Sequence, residues 1–234
     1  MVARAQRVLV IVAHPDDAES WAGGTIAKLV QDGAQVAYCV ATNGDKGSGD
    51  RTMTPERLAA TRQAEQRDAA RVLGVETVEF LNFPDCEVEN TRRTRMVVTA
   101  AIRRHRPDLL LTQDPNRTTL LGASHRDHRI VGEIALDCVY PLARAHLAFP
   151  ELLDQGLEPH ATKEVHLMVW GDQSNLVVDI SETIEVKIAA LACHVSQMPD
   201  RPALDKNVRE RGARLGKPVG YRYAEVFARM VIDE

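Results

Sequence analysis

Short runs of aliphatic residues alternate with longer amphipathic segments along this 234-residue chain. The aliphatic runs are rich in β-branched residues and predict strands, whereas apolar residues spaced three and four positions apart predict helices. Strands are predicted over residues 8–12, 35–42, 77–81, 108–112, 164–170, 176–180 and 227–232. Helices are predicted over residues 23–31, 55–74, 92–104, 130–144 and 181–193, with Thr54 as the N-cap of the second.

This alternation predicts an α/β fold. Successive strands joined through helices form right-handed crossovers, which give a mainly parallel sheet with helices on both faces. The expected architecture is therefore Rossmann-like. The chain has no Pro, Gly and Ser-rich linker, no repeat and no low-complexity segment, so a single domain over residues 1–234 is predicted.

Polar residues directly follow the first predicted strand. The strand is a continuous aliphatic run, as in strands buried on both faces of a parallel sheet, and the sequence His-Pro-Asp-Asp at residues 14–17 comes just after it. Ligands of open α/β sheets bind beyond the carboxyl ends of such strands. An imidazole and two carboxylates at this point favour a functional site. The alternative is that Asp16 or Asp17 only caps the next helix.

A second polar cluster, His-Arg-Asp-His at residues 125–128, comes after the fourth predicted strand. His125 and His128 are three positions apart and would share one face of a helical turn. One such pair is a weak signal, but two clusters that each follow a parallel strand indicate one crevice. His14, Asp17 and His128 are thus candidate metal ligands that leave coordination positions open, as in catalytic zinc sites.

The two clusters resemble the signature of the PIG-L/LmbE-like zinc-dependent de-N-acetylases, a family that includes deacetylases of mycothiol and bacillithiol biosynthesis and archaeal diacetylchitobiose deacetylases. The family pattern usually has Pro where Arg126 stands. Ala18 and Glu19 follow the double Asp, as in the bacillithiol-type and diacetylchitobiose-type branches. The likeness covers nearly the whole chain through five further motifs: Gly23-Gly24-Thr25-Ile26-Ala27, Arg62-Gln63-Ala64-Glu65, Leu73-Gly74-Val75, Pro84-Asp85 and Tyr223-Ala224-Glu225.

The resemblance implies a Rossmann-like fold and a zinc ion held by His14, Asp17 and His128. It also implies that Asp16 is the general base, which takes a proton from water and later delivers it to the leaving amine. Two imidazoles and a carboxylate would suit Fe²⁺ or another divalent cation as well.

Further roles follow from the same resemblance. Protonated His125 would donate to the oxyanion that forms from the amide carbonyl, and Asp127 would orient His125 and favour its charged form. Arg62 and Asp85 match positions that contact sugar hydroxyls. For Arg62 the alternative is a solvated arginine paired with a neighbour on its own helix. The glycine-rich segment 43–50 is either a mobile surface loop or a substrate lid.

Composition narrows the class of protein. The chain has 29 basic and 33 acidic residues, a formal charge of −4 and no run of like charges, which argues against a nucleic-acid or anionic-membrane partner. The first aliphatic run is too short for a signal-peptide core or a membrane span. The four cysteines show no Cys-x-x-Cys spacing, which disfavours a disulfide framework and a zinc–thiolate site. A cytoplasmic location is predicted, and assembly into a homo-oligomer stays open.

The predicted function is a metal-dependent hydrolase that removes the acetyl group from an N-acetylglucosamine-type sugar or sugar conjugate. One alternative is an amidase that cleaves a larger thiol–sugar conjugate. Another is a non-catalytic module that binds a sugar or a nucleotide. Nucleotide binding is disfavoured because the first turn carries two carboxylates, which repel phosphates, in place of the Gly-x-Gly-x-x-Gly pattern.

Overall fold

The computed structural model describes residues 5–116 and 125–232. Its strands are β1 (Arg7–Val12), β2 (Gln35–Thr42), β3 (Thr77–Phe83), β4 (Leu109–Gln113), β5 (Glu164–Met168), β6 (Leu176–Asp179) and β7 (Ala224–Val231). Its α-helices are α1 (Asp17–Gln31), α2 (Pro55–Leu73), α3 (Arg92–His105), α4 (Arg126–Asp137), α5 (Pro150–Leu153), α6 (Ile184–Leu191) and α7 (Arg201–Gly216). None of these helices is long and apolar enough to cross a membrane.

The seven strands form one sheet in the order β3-β2-β1-β4-β5-β7-β6. Neighbours from β3 through β5 pair in parallel, and β7 pairs antiparallel with both β5 and β6. The chain moves outward from β1 to β3 on one side and from β4 to β5 on the other. The switch point therefore lies between β1 and β4, and the predicted single α/β domain with a mainly parallel sheet is confirmed.

Both faces of the sheet are covered by helices, as expected. Val8, Val10 and Val12 of β1 pack into one apolar cluster with α1, α2 and α6, whereas Leu9 and Ile11 pack into a second with α3 and α4. These five side chains are at most 2% exposed. The first strand is thus buried on both sides, which explains its continuous aliphatic sequence.

Helix α1 begins at Asp17, six residues before the predicted start. The Gly-Gly pair at residues 23–24 weakens the helical pattern, but close packing requires it. A Cβ on Gly24 would lie 2.7 Å from the Ile180 side chain, and one on Gly23 would lie 3.1 Å from that of Lys187. Tertiary contact therefore overrides local propensity here.

Two other differences lie toward the C-terminal half. Helix α4 ends at Asp137, seven residues before the predicted end, and an irregular turn follows it, in which Tyr140, directly before Pro141, has extended backbone angles. Helix α7 was not predicted at all. It is strongly charged, and its buried residues are two glycines, Gly212 and Gly216. It therefore shows little of the apolar stripe from which amphipathic helices are recognised.

Candidate active site

A cavity of about 580 Å³ opens at the carboxyl ends of β1 and β4, which is the switch point where open α/β sheets bind ligands. Seven of the eight predicted site residues line it, and the eighth, Asp127, is fully buried. The lining residues are His14, Asp16, Asp17, Ser20, Trp21, Gly47, Arg62, Asp85, His125, His128, Trp170, Gln197 and Arg211.

His14, Asp17 and His128 form a group that could hold a metal ion. His14 Nδ1 lies 3.1 Å from His128 Nε2 and 3.4 Å from Asp17 Oδ2. His128 Nε2 lies 3.1 Å from Asp17 Oδ1. Donors bound at about 2.0–2.1 Å to one tetrahedral cation are separated by ~3.3 Å. The two imidazole nitrogens and the carboxylate therefore fit a single divalent ion.

Buried hydrogen bonds hold this group in place. Asp17 Oδ2 accepts from the His14 backbone N–H at 2.8 Å and from Gln113 Nε2 at 2.8 Å. Gln113, at the end of β4, accepts in turn from the Ala13 N–H at 3.0 Å. Sequence reasoning missed Gln113. Its position at the end of a parallel strand could have indicated that it lies at the site.

The ring of His14 is fixed from its other side by two carboxylates. His14 Nε2 lies 3.1 Å from Asp85 Oδ1 and 3.4 Å from Asp127 Oδ2. A proton on Nε2 is donated to these carboxylates, and a bound cation would take the place of the Nδ1 proton that faces Asp17 and His128. Burial lowers the pKa of His14, but the hydrogen bonds to Asp127, Asp17 and Asp85 outweigh it and raise this pKa to about 12.

Asp17 is ionised despite being buried. Burial favours its neutral form, yet the charge of His128 and hydrogen bonds from His128 and His14 hold the pKa of Asp17 well below its usual range. Asp17 thus supplies an anionic oxygen to the group, and a cation bound there would displace the protons of the imidazoles.

Asp16 stands beside the metal group in a strained conformation. It has φ 91°, in the left-handed region that non-glycine residues rarely adopt, and its N–H donates to Gln66 Oε1 at 2.9 Å. Within the described residues its side chain makes no capping hydrogen bond to α1, so the capping alternative is wrong for Asp16. Burial and the neighbouring Asp17 charge raise the pKa of Asp16 to about 6.

His125 is the N-cap of α4, and its Nδ1 accepts from the backbone N–H of Asp127 at 3.2 Å. Nδ1 is therefore unprotonated in this geometry, and Nε2 carries the proton. The Asp127 carboxylate instead accepts from the Cys86 N–H at 2.7 Å. Burial and the charge of His14 lower the pKa of His125. The charge of Asp127 does favour the charged form of His125, as expected, but burial and the charge of His14 outweigh it. The orienting contact with the ring comes from the backbone N–H of Asp127.

Comparison with known proteins identifies the family of this chain. Residues 9–139 match the family model PIG-L, described as GlcNAc-PI de-N-acetylase. The chain belongs to the PIG-L family. It is 34% identical to a diacetylchitobiose deacetylase of Thermococcus kodakarensis over 222 residues, which are 94% of this chain and 81% of the relative.

Two further relatives support the membership. A probable N-acetyl-α-D-glucosaminyl L-malate deacetylase of Bacillus cereus is 28% identical over 82% of this chain and 84% of its own length. The solved N,N′-diacetylchitobiose deacetylase from Pyrococcus horikoshii superimposes with a TM-score of 0.88 at 34% identity. This superposition covers 97% of the present chain and 84% of the solved one.

Arg62, the PIG-L position predicted to contact sugar, is 5% exposed, so the solvated alternative is wrong. Its Nη2 donates to Asp16 Oδ2 at 3.1 Å and to Pro15 O at 2.8 Å, and its Nη1 donates to Gly44 O at 2.9 Å. A side chain at Gly44, which has φ 60°, would collide with the guanidinium. The glycine-rich loop therefore packs on Arg62, and Arg62 holds the carboxylate of Asp16.

The residues on the opposite side of the cavity in this PIG-L protein were not predicted from the sequence. The only two tryptophans, Trp21 on α1 and Trp170 after β5, meet edge to face with ring centroids 5.1 Å apart. The Arg211 guanidinium on α7 lies 4.2 Å from the Trp21 ring centroid and 5.2 Å from that of Trp170. Gln197 reaches the cavity from the loop before α7 and donates to Gly47 O at 3.0 Å. Of these residues, Trp21 could have been predicted, because it follows Asp17 by four positions and helical residues four apart share a face.

Proposed function

We propose that this protein is a divalent-metal-dependent hydrolase that removes the acetyl group from an N-acetylglucosamine-type sugar or sugar conjugate. The observation that carries the proposal is the meeting of His14, Asp17 and His128 directly beside Asp16, in a chain of the PIG-L family. Relatives named as deacetylases of diacetylchitobiose and of N-acetyl-α-D-glucosaminyl L-malate support an amino sugar as substrate.

His14, Asp17 and His128 would hold the cation, with Zn²⁺ as the proposed ion and Fe²⁺ or another divalent metal as the alternative. When bound, the cation would polarise the amide carbonyl and lower the pKa of the attacking water. The carboxylates of Asp85 and Asp127 support this arrangement because they face Nε2 of His14 and keep Nδ1 available as a ligand.

Asp16 would remove the proton from the attacking water and return it to the leaving amine. A pKa of about 6 suits both steps near neutral pH, because the carboxylate is mostly ionised yet basic enough to accept a proton. Its hydrogen bonds with Arg62 and Gln66 fix its position. We therefore assign Arg62 as a positioning residue for Asp16, whether or not it also contacts sugar.

His125 would donate from Nε2–H to the carbonyl oxygen as negative charge develops there. The backbone N–H of Asp127 donates to Nδ1 of His125, so a neutral His125 carries its proton on Nε2. It can therefore donate to the oxyanion without being protonated at both nitrogens. Asp127 would act on His14 through its carboxylate and on His125 through its backbone N–H. The proposed partner is thus a small N-acetylated sugar. The cytoplasmic location and the homo-oligomer stay predictions.

The test is acetate and amine release by metal-loaded protein from N-acetylglucosamine, N,N′-diacetylchitobiose and a cysteinyl amide of a glucosamine conjugate. We expect acetate from one or both acetylated sugars and little cleavage of the cysteinyl amide. Asp16→Asn, which keeps the shape of the site, is the matched control and should abolish most of the release. Faster cleavage of the cysteinyl amide would instead establish the conjugate amidase, and no release from any of the three would overturn the proposal.

A further inference from the structure

A second, apolar space adjoins the active-site cavity and plays no part in the chemistry proposed above. It has a volume of about 160 Å³ and lies between α1, α6, α7 and β7. We call it the α7 pocket, and its aliphatic lining includes Ile180, Ile184, Leu191, Leu204 and Val208. An apolar cavity of about 150 Å³ accepts a molecule the size of benzene. The α7 pocket is therefore large enough for a short alkyl chain.

Two charged groups at the edge of the α7 pocket, Lys187 and Glu225, are already paired. Lys187 Nζ donates to Glu225 Oε1 at 2.5 Å and to Ser20 O at 3.0 Å. Glu225 also accepts from the backbone N–H groups of Gly24 and Thr25 at 3.0 and 2.7 Å. Since these groups satisfy one another, the pocket offers a ligand mainly aliphatic surface and suits an uncharged alkyl group.

Ser20, Trp21 and Arg211 line both spaces and so form the wall between them. Trp21 is 9% exposed and contacts both the Trp170 ring and the Arg211 guanidinium, which also contact each other. These contacts hold the Trp21 ring in place between the cavity and the α7 pocket.

Trp21 also lies close to where the acyl group must be. It follows Asp17 by four residues on α1, so the two side chains share one face of the helix. Asp17 is a proposed metal ligand, and an amide carbonyl activated there brings its acyl carbon to the same place. Among the described residues, the apolar side chains that line the cavity are Trp21 and Trp170, and Trp170, 36% exposed, lies nearer to solvent.

From these contacts we infer that Trp21 sets the acyl-chain limit of the enzyme, by closing the active-site cavity against the α7 pocket. The inference rests on the proposed function and adds the residue that confines the acyl group to acetyl. Removing the indole would join the two spaces and let an alkyl chain enter the α7 pocket. Each buried methylene improves binding roughly fourfold, so two extra carbons should gain about tenfold or more.

The experiment compares kcat/KM for N-acetyl-, N-butyryl- and N-hexanoylglucosamine in wild type, Trp21→Ala and Trp170→Ala. Trp170→Ala removes the same group from the same cavity but not from the wall of the α7 pocket. We expect Trp21→Ala to raise the butyryl-to-acetyl ratio about tenfold or more and Trp170→Ala to leave it within about twofold. Adding Leu204→Phe to Trp21→Ala refills the pocket and should return the ratio toward that of wild type.

An unchanged ratio in Trp21→Ala, or an equal shift in Trp170→Ala, would overturn the inference. If Trp21→Ala does not fold, as judged by circular dichroism, Trp21→Leu serves in its place with a smaller expected shift. If wild type hydrolyses neither these three sugars nor N,N′-diacetylchitobiose, the proposed function has failed. Calorimetric binding of N-hexanoylglucosamine then still tests the wall, since Trp21→Ala should bind it about tenfold more tightly than Trp170→Ala does.

Discussion

The two sides of the active-site cavity are built in different ways. The metal side consists of His14, Asp17 and His128, which stand at the ends of β1 and β4 or on the helix turns that follow and are held by buried hydrogen bonds. The aromatic side consists of Trp21, Trp170 and Arg211, which come from three distant elements and are held by ring and cation–π contacts.

The difference separates chemistry from recognition. Groups that must meet within about 0.5 Å of a productive geometry need rigid neighbours with satisfied hydrogen bonds. Groups that shape a cavity need only fill space, and helices can supply them from anywhere in the chain. Substitutions on the metal side should therefore abolish catalysis, whereas those on the aromatic side should change which substrates are accepted.

The largest effect is expected from His128→Ala. Loss of one of three donors should leave the protein with little bound metal and lower activity by about a thousandfold or more, since the chemistry depends on the cation. Elemental analysis of the purified protein measures this directly. His146→Ala is the matched control because His146 is exposed and does not line the cavity. A full complement of metal in His128→Ala would refute the assigned ligand set.

Asp16→Asn should separate the base from the metal. The amide keeps the shape of the side chain but cannot take a proton, so kcat should fall on the order of a hundredfold or more. Elemental analysis should show that metal stays bound. An unchanged kcat would mean that another group activates water.

Asp85→Ala tests whether this carboxylate serves the metal or the sugar. Because Asp85 Oδ1 lies 3.1 Å from His14 Nε2, we expect the affinity for metal to fall about tenfold to a hundredfold, as when the outer partner of a ligating histidine is lost. Titration with a competing chelator measures this without any substrate. Unaltered metal affinity together with a raised KM would instead support the predicted sugar contact.

Arg62→Met should change the pH dependence of activity. The positive charge of Arg62 opposes the burial and the Asp17 charge that raise the pKa of Asp16 to about 6. Its removal should move this pKa higher, and because the base acts when deprotonated, activity should then be lost at a higher pH as the solution is acidified. The kcat/KM ratio of variant to wild type should be lower at pH 6 than at pH 8 by up to about tenfold. A uniform loss at both values would favour a substrate contact.

The sequence sufficed for the sheet, its helical layers and the polar cluster at the switch point. Each of these follows from local patterns, namely aliphatic runs and polar residues just after them. It did not suffice for α7, whose charged sequence lacks a clear apolar stripe. The place of Arg211 at the cavity could not be predicted for the same reason, because Arg211 lies on α7. The contacts of Arg62 with Asp16 and of Asp85 with His14 join residues far apart in the chain. Their partners are set by the packing of α2 on the sheet and by the position of β3 within it.

The smallest effect is expected on the aromatic side. Trp170 is 36% exposed and lines the cavity, and we expect a sugar beyond the reacting amide to stack on its ring. If such stacking contributes about as much as an aromatic pair, roughly 0.5–1.5 kcal/mol, Trp170→Ala should raise KM about twofold to tenfold for N,N′-diacetylchitobiose. The value of kcat should hardly change, because Asp16 and the metal group are untouched. Tyr221→Ala is the matched control, since Tyr221 is 40% exposed and lies outside the cavity lining. A fall in kcat at constant KM would show that the aromatic side also positions the reacting amide.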